Sequence, residues 1–390
     1  MSLFHKKNKV ESVDLSRRYN LIGRVGQGSM SKVWRAEDPM NGQSIAVKVL
    51  DKEKTLRYEA RFKGLHKPSE ADIALSLKHP NIVRTLEVGQ TTENETYLIM
   101  PFVEGCGLGL LVDLQNDRMK RYRTRYMIEI GDALAYFHKQ DWIHRDICPR
   151  NIMVTEDDHI KLIDFGLTVP NTPDFRKPGN RTGTANYMAP ELIKRQPTDQ
   201  RIDVFSYAVT CFEMYAKRHP WDAAMTIDAV MQHINKPPVP ILDLCPRMDQ
   251  QIAGIIMKGL EANPGERWQN IDEMVTELRT AEARLVKVTR ELLVLRKQAA
   301  AGGKQRPKTE KKAAASTAPP LKKAAPEKPA APAAKAKAPV SAAAKASVKR
   351  SSEQKPAKKA AAAKAPVVAP PQADSSVNAS DDSDELLSLD

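Results

Sequence analysis

From Ala299 to Asp390 the chain contains no aromatic residue and consists largely of alanine, lysine and proline. Such a composition cannot bury enough apolar surface to offset the entropy lost when a chain is ordered. All compactly folding sequence is therefore expected before about residue 300, with residues 299–390 a disordered tail. Charge divides in the same way. Residues 301–372 carry 17 Lys and Arg against 3 acids, whereas residues 373–390 carry 6 acids and no base, so most of the net charge of +13 belongs to the tail. A lysine-rich stretch without aromatic residues suits non-specific contact with polyanions such as nucleic acid, since it has charge for phosphates and no ring on which to stack bases. A solvated tether is the alternative. The acidic end, DDSDELLSLD, contains leucines and is suited to docking on a partner or folding back on the lysines.

Cys106, Cys148, Cys211 and Cys245 are widely separated and form no CxxC pair, which argues against a zinc site or a secreted disulfide framework. No run reaches the roughly 20 apolar residues that span a bilayer, and MSLFHKKNKV lacks the apolar core of a signal peptide. A soluble protein in the reducing cytoplasm is expected.

Within the first 300 residues the apolar periodicity changes once. After a basic arm over residues 1–17, YNLIGRVGQGSMSKVWRAED and QSIAVKVL alternate as short strands around a glycine-rich turn. SEADIALSLK has helical spacing, with Ser69 placed to cap it and Pro80 to end it, and TYLIMPFV returns to a buried strand. From about Asp113 the spacing is helical, as in RYMIEIGDALAYFHKQD and IDVFSYAVTCFEMYAK. A small strand-rich lobe followed by a larger helical one, an α+β fold, is predicted. Ile271, Leu278, Leu285 and Leu292 lie seven apart, and Met274, Ala281, Val288 and Leu295 interleave three residues later. This heptad seam predicts a helix whose first part, to 281, closes the domain. Residues 281–298 extend beyond it, as a short coiled coil or a docking helix, and residues 271–297 could pair two copies. The flanking charges choose no orientation.

The candidate chemistry falls in loops. In GQGSMS, Gly26 and Gly28 let backbone amides approach phosphate oxygens without an intervening side chain, although Ser31 stands where a third glycine would complete the pattern. Lys48 lies on an apolar strand, where a phosphate-facing lysine needs a carboxylate to orient it, and Glu70 on the next helix can supply one. HRDICPRN then provides Asp146 and Asn151, and IDFG provides Asp164. Phosphoryl transfer requires hard oxygen ligands for magnesium and a carboxylate to orient the attacking hydroxyl. These three residues form such a set.

The glycine loop, IAVK, Glu70, HRD with Asn151, DFG and the APE of GTANYMAPE occur in the order and spacing of the eukaryotic-type (Hanks-type) Ser/Thr protein kinases, which the chain resembles over residues 18–280. The resemblance implies the bilobal kinase fold and the use of ATP and Mg2+. It also implies roles for individual residues. Val25, Gly26, Gln27, Gly28, Val33, Ala46, Lys48, Met100, Pro101 and Val103 would surround the nucleotide, with Met100 the gatekeeper and residues 101–103 the hinge. Lys48 paired with Glu70 would contact the inner phosphates, Asp146 would be the base, and Asn151 and Asp164 would bind the metal. Thr184 would contact Asp146, Arg267 would pair with Glu191 of APE, and Asp203 would support the catalytic loop.

One departure bears on activity. Where the family normally has a lysine two residues after the catalytic aspartate, this chain has Cys148. Arg150, four residues after Asp146, is always charged and binds phosphate in a forked geometry, so it is expected to replace the lysine. A scaffold without activity, displaying the helix and the basic tail, is the competing expectation. GT before YMAPE points to serine and threonine acceptors. Arg145 before Asp146 points to control by a phosphate on the activation segment, with Thr182 the expected acceptor and Thr168 and Thr172 the alternatives. Arg145 and Arg150 would also lower the pKa of Cys148, whereas Cys106 is expected to be inert.

Overall fold

The computed structural model describes residues 12–27, 30–62, 64–178, 181–221 and 231–302. The tail beyond Gly302, Gly28 of the glycine loop and the first eleven residues lie outside the described residues. A six-stranded sheet is built from β1 (Ser12–Val13), β2 (Asn20–Gln27), β3 (Ser31–Glu37), β4 (Ser44–Leu50), β5 (Glu87–Thr91) and β6 (Thr96–Pro101), in the order β1-β5-β6-β4-β3-β2. All its pairings are antiparallel except that of β1 with β5.

Strand β4 shows how sequence places the site. Its side chains alternate between faces, and both faces are buried, which explains the near-continuous apolar run IAVKVL. Ile45, Val47 and Val49 pack with Tyr19, Tyr97 and Ile99 on one face. Ala46 and Leu50 join the principal core with Leu98, Met100 and Ile73 on the other, so Lys48, in phase with them, projects toward that interior. Helix α1 (Leu15–Arg18) lies between β1 and β2, and the Arg18 guanidinium grips both carboxylate oxygens of Glu87 at 2.7 and 2.6 Å. The fold therefore begins within the stretch read from the sequence as a basic arm, residues 1–17. Residues 12–18 supply a strand, a helical turn and two apolar contacts, Val13 and Leu15.

Between β4 and β5 lie α2 (Lys52–Glu59) and α3 (Glu70–Ser76). Ser69 caps α3 as its sequence predicts, in a reciprocal box with Asp72, so Glu70 is the first residue of the helix. After β6 the chain forms β7 (Gly105–Gly107) and α4 (Leu108–Leu114). At Gly105, φ is +149° and an added Cβ would lie 2.0 Å from the Val154 carbonyl oxygen, so only glycine fits.

The helical part is built on α5 (Asp117–Lys139), followed by β8 (Trp142–Ile143), β9 (Ile152–Thr155), β10 (Ile160–Leu162) and β11 (Val169–Pro170). The hairpin β9–β10 and the pair β8–β11 bracket two loops, residues 144–151 and 163–168. Then come α6 (Pro190–Ile193), α7 (Arg201–Ala216), α8 (Gln232–Asn235), α9 (Ile241–Leu244), α10 (Gln250–Gly259) and α11 (Ile271–Gly302). Helix α7 is buried nearly all round, matching its continuous apolar sequence. In α11 the heptad seam divides as its length suggested: Ile271, Met274, Leu278 and Ala281 are fully buried, Leu285 packs at the edge, and Val288, Leu292 and Leu295 are exposed.

Candidate active site

Lys48 Nζ donates to Glu70 Oε1 at 2.5 Å and to Asp164 Oδ1 at 2.8 Å. Burial alone would push the pKa of Lys48 down, but Asp164 and Glu70 more than offset it and hold the value above its ordinary level. Burial similarly opposes ionisation of Asp164, and the adjacent ammonium reverses that effect, leaving its pKa lowered. The lysine therefore enters the site charged and oriented by two elements, α3 and the DFG turn.

The catalytic loop is positioned from below. Asp203, fully buried on α7, accepts hydrogen bonds from the backbone amides of His144 and Arg145 at 2.8 Å each and from His138 Nε2 at 2.9 Å. These bonds hold Arg145 at φ +71°, a left-handed conformation that a non-glycine residue keeps only when its surroundings determine it. The next residue, Asp146, is thereby aimed at the lobe boundary.

Asp146 accepts at both oxygens. Thr184 donates to Oδ1 through its backbone amide at 2.8 Å and its hydroxyl at 2.7 Å, and Asn151 Nδ2 donates to Oδ2 at 2.8 Å. The approach of Thr184 depends on Gly183, at φ +131°, where an added Cβ would lie 2.7 Å from the Arg145 carbonyl oxygen. Arg150 Nη2 donates to Thr184 Oγ1 at 3.0 Å, so its guanidinium is coupled to the carboxylate through one hydroxyl. A single small cavity is lined by Lys48, Glu70, Asp146, Asn151 and Asp164, together with Met30 and Ser31 of the glycine loop. The five residues singled out from four separate stretches thus converge on one space. Met30 was missed by sequence reasoning, and its place at the tip of a glycine loop is the signal that could have found it.

The residues expected around the nucleotide base are less concentrated. Val33, Ala46, Met100 and Val103 pack on the principal core, with Ala46 opposite Met100 in the β4–β6 ladder. Pro101 and Val25 are exposed. Gly26 pairs with Val33 and Gln27 with Lys32. The donor set also fits magnesium. Asn151 Nδ2 is committed to the backbone and side-chain oxygens of Asp146, which leaves the amide oxygen as the open donor, and Asp164 adds a carboxylate. Among the described residues no cluster of three His, Cys, Asp or Glu exists, so a metal held here needs further oxygens, as ligand phosphates provide.

One expectation changes. Cys148 is fully buried, its Sγ 3.8 Å from Thr184 Oγ1, and burial pushes its thiol pKa up to about 12, outweighing the nearby Arg150. It is not an activated thiol. Thr182 is 7% exposed and Thr168 fully buried, whereas Thr172 is exposed. Cys106 is half-buried with Arg118 Nη1 3.8 Å from its sulfur. The supporting pair appears as expected: Arg267 Nη1 and Nη2 donate to the two Glu191 oxygens at 2.7 Å each.

Among the described residues no helix is long and apolar enough to cross a membrane. A probable serine/threonine-protein kinase of Clostridium acetobutylicum is 33% identical over 266 residues, covering 68% of this chain and 40% of that protein. One from Clostridium perfringens is 30% identical over 267 residues, covering 68% and 38%. The serine/threonine-protein kinase PrkC of Bacillus subtilis is 27% identical over 270 residues, covering 68% and 41%. The chain thus spans about two fifths of the length of these relatives. The model of the protein kinase domain matches residues 19–278, about two thirds of the chain, and with the convergence of Lys48, Glu70, Asp146, Asn151 and Asp164 it makes this chain a member of the protein kinase family.

Proposed function

We propose that this chain is a serine/threonine protein kinase that transfers the γ-phosphoryl group of ATP to protein hydroxyls. The observation that carries this proposal is the shared cavity, in which a charged lysine bridges two carboxylates beside an aspartate fixed by three hydrogen bonds. ATP with Mg2+ would supply the phosphoryl group and spread its charge. Lys48 would hold the inner phosphates, Asn151 and Asp164 the metal, and Gly26, Val33, Ala46, Met100 and Val103 the nucleoside. Asp146 orients the acceptor hydroxyl and receives its proton. Thr184 keeps the Asp146 carboxylate in one rotamer, and Arg150 places a permanent positive charge beside it, supporting replacement of the missing lysine. The contact of Thr184 with Asp146 supports serine and threonine acceptors.

Control by phosphorylation belongs to the same proposal. Thr172 is exposed to a second kinase molecule, and Thr182 becomes available only when the activation segment opens. A cytoplasmic location, polyanion contact by residues 301–372 and pairing of copies along residues 271–297 rest on charge and heptad pattern. Full-length protein incubated with magnesium, labelled ATP and a mixed acceptor protein tests the central reading. Phosphoserine and phosphothreonine are expected, and they disappear in Asp146→Asn. Label confined to tyrosine, or label that survives Asp146→Asn, overturns it.

A further inference from the structure

Tyr58 is the buried side chain of helix α2. Its ring is held from two sides: the Phe62 ring meets it edge-on at 5.4 Å, and Lys67 Nζ lies 5.3 Å from its centroid. Phenylalanine would keep both contacts. A buried hydroxyl costs free energy unless it is hydrogen-bonded, and Tyr58 Oη donates to the backbone carbonyl of Leu167 at 2.9 Å. Leu167 directly follows the DFG turn and lines the small cavity together with Asp164 and Gly166. The other end of the helix reaches the same cavity. Asp51, which caps α2, donates its backbone amide to the carbonyl of Met30 at 2.8 Å, and Met30, in the glycine loop, also lines the cavity. The step from Asp51 to Tyr58 covers about 10 Å of helix, so α2 is a rigid spacer between the two loops.

The turn itself is closed by local bonds. Gly166 donates to Asp164 Oδ1 at 3.1 Å, and Thr168 donates to the Phe165 carbonyl at 3.1 Å. Bonds within the turn set its shape and not its place. Its middle is anchored where Phe165 packs on Phe137 and His144, with ring centroids 6.0 Å away in each case. Its exit is anchored by Tyr58. We infer that Tyr58 is a positioning residue for phosphoryl transfer: its bond to the Leu167 carbonyl fixes the exit of the turn that carries Asp164, in register with the Met30 end of α2. Tyr58 acts through the Leu167 backbone, and its hydroxyl sets where the Asp164 carboxylate stands relative to Asn151, the two groups proposed to hold magnesium. The consequence for rate rests on the proposed transfer activity, whereas the consequence for the turn does not.

Tyr58→Phe in the full-length chain removes the hydroxyl and keeps the ring, and Leu56→Ser, on the exposed face of the same helix, is the control. Tyr58→Phe should lower kcat about fivefold, the effect of one lost hydrogen bond. It should also raise the half-saturating magnesium concentration about threefold or more, with the KM for the acceptor protein held within about twofold. Without ATP or magnesium, deuterium uptake by residues 163–168 should quicken about threefold or more, while uptake by α7 stays unchanged. Leu56→Ser should match the wild type in every measurement. Wild-type kcat in Tyr58→Phe would overturn the proposal. So would a rate loss with an unaltered magnesium requirement, or uptake that rises equally in α7, since either marks a packing defect. No transfer by the wild type would overturn the kinase reading instead, and the uptake comparison would still decide the role of Tyr58: faster exchange confined to residues 163–168 supports its hold on the turn, and unchanged exchange overturns it.

Discussion

Replacing Arg150 by alanine removes a permanent charge joined to the catalytic carboxylate by two hydrogen bonds, of 3.0 Å to Thr184 and 2.7 Å from Thr184 to Asp146. That geometry puts the guanidinium within about 6 Å of the point where the acceptor oxygen meets the phosphoryl group. At this separation and an effective dielectric of about 20, one charge interacts with another by roughly 2.8 kcal/mol. Arg150 is exposed, and solvent and salt reduce the interaction to about half that or less. The expected loss is therefore about 3- to 10-fold in kcat. The KM for ATP should change less than about threefold, because the inner phosphates are assigned to Lys48. Steady-state kinetics at low and moderate salt on the full-length protein measure this, with a larger defect at low salt. Introducing Cys148→Lys into the Arg150→Ala background should recover at least part of the lost rate, since it restores a cation from the same loop; calorimetry checks that the buried lysine is tolerated. Unchanged kcat in Arg150→Ala at both salt concentrations would refute the reasoning.

Other consequences are independent of Arg150. Lys48→Met should abolish transfer and lower the melting temperature, because it leaves Glu70 and Asp164 without their shared cation; breaking a buried pair in this way costs about 3–5 kcal/mol, and an unchanged denaturation midpoint would contradict it. Arg267→Ala should destabilise to a similar extent, since the residue is 2% exposed and bidentate to Glu191, and urea unfolding measures it. Cys148, buried with its pKa at about 12, should resist iodoacetamide at pH 8 in the native protein and react after unfolding; rapid native labelling would show that the loop opens. The buried Asp203 carboxylate feels a burial penalty that raises its pKa, but hydrogen bonding to His138 and the charges around it hold the value below 3.8. Its contribution to stability is therefore present above the unfolded value and lost as pH falls through the lower folded value. Acid unfolding should show this loss below about pH 4, and Asp203→Asn should be destabilised at pH 7 with a shallower acid slope.

The lining of the small cavity was legible because Asp146, Asn151 and Asp164 lie in loop motifs with a family spacing, and Lys48 interrupts an otherwise apolar strand. Helix α11 was legible from its heptad seam, but the seam runs unchanged from the buried Ala281 to the exposed Leu292, and where burial ends is a matter of what the helix packs against. The strand Ser12–Val13 was not, since two residues carry no period and the pairing with β5 is a tertiary event. Nor was α2, KEKTLRYE, in which Leu56 and Tyr58 are the only large apolar residues and capping by Asp51 marks the start. For Cys148 the sequence showed the lowering charge, Arg150, but not the burial of the thiol in the core, which outweighs it. The burial of Thr182 was not legible either, because accessibility belongs to the folded activation segment.

The proposed activity rests most directly on Asp164, which joins Lys48 to the part of the cavity lined by Asn151 and Asp146. Transfer of labelled phosphate by full-length wild type and by Asp164→Asn, with ATP binding measured in parallel, is the decisive comparison. The account predicts magnesium-dependent phosphoserine and phosphothreonine in wild type and a loss of at least about 1,000-fold in the variant. Equal transfer by both proteins, or none by wild type despite saturating ATP binding, would contradict it.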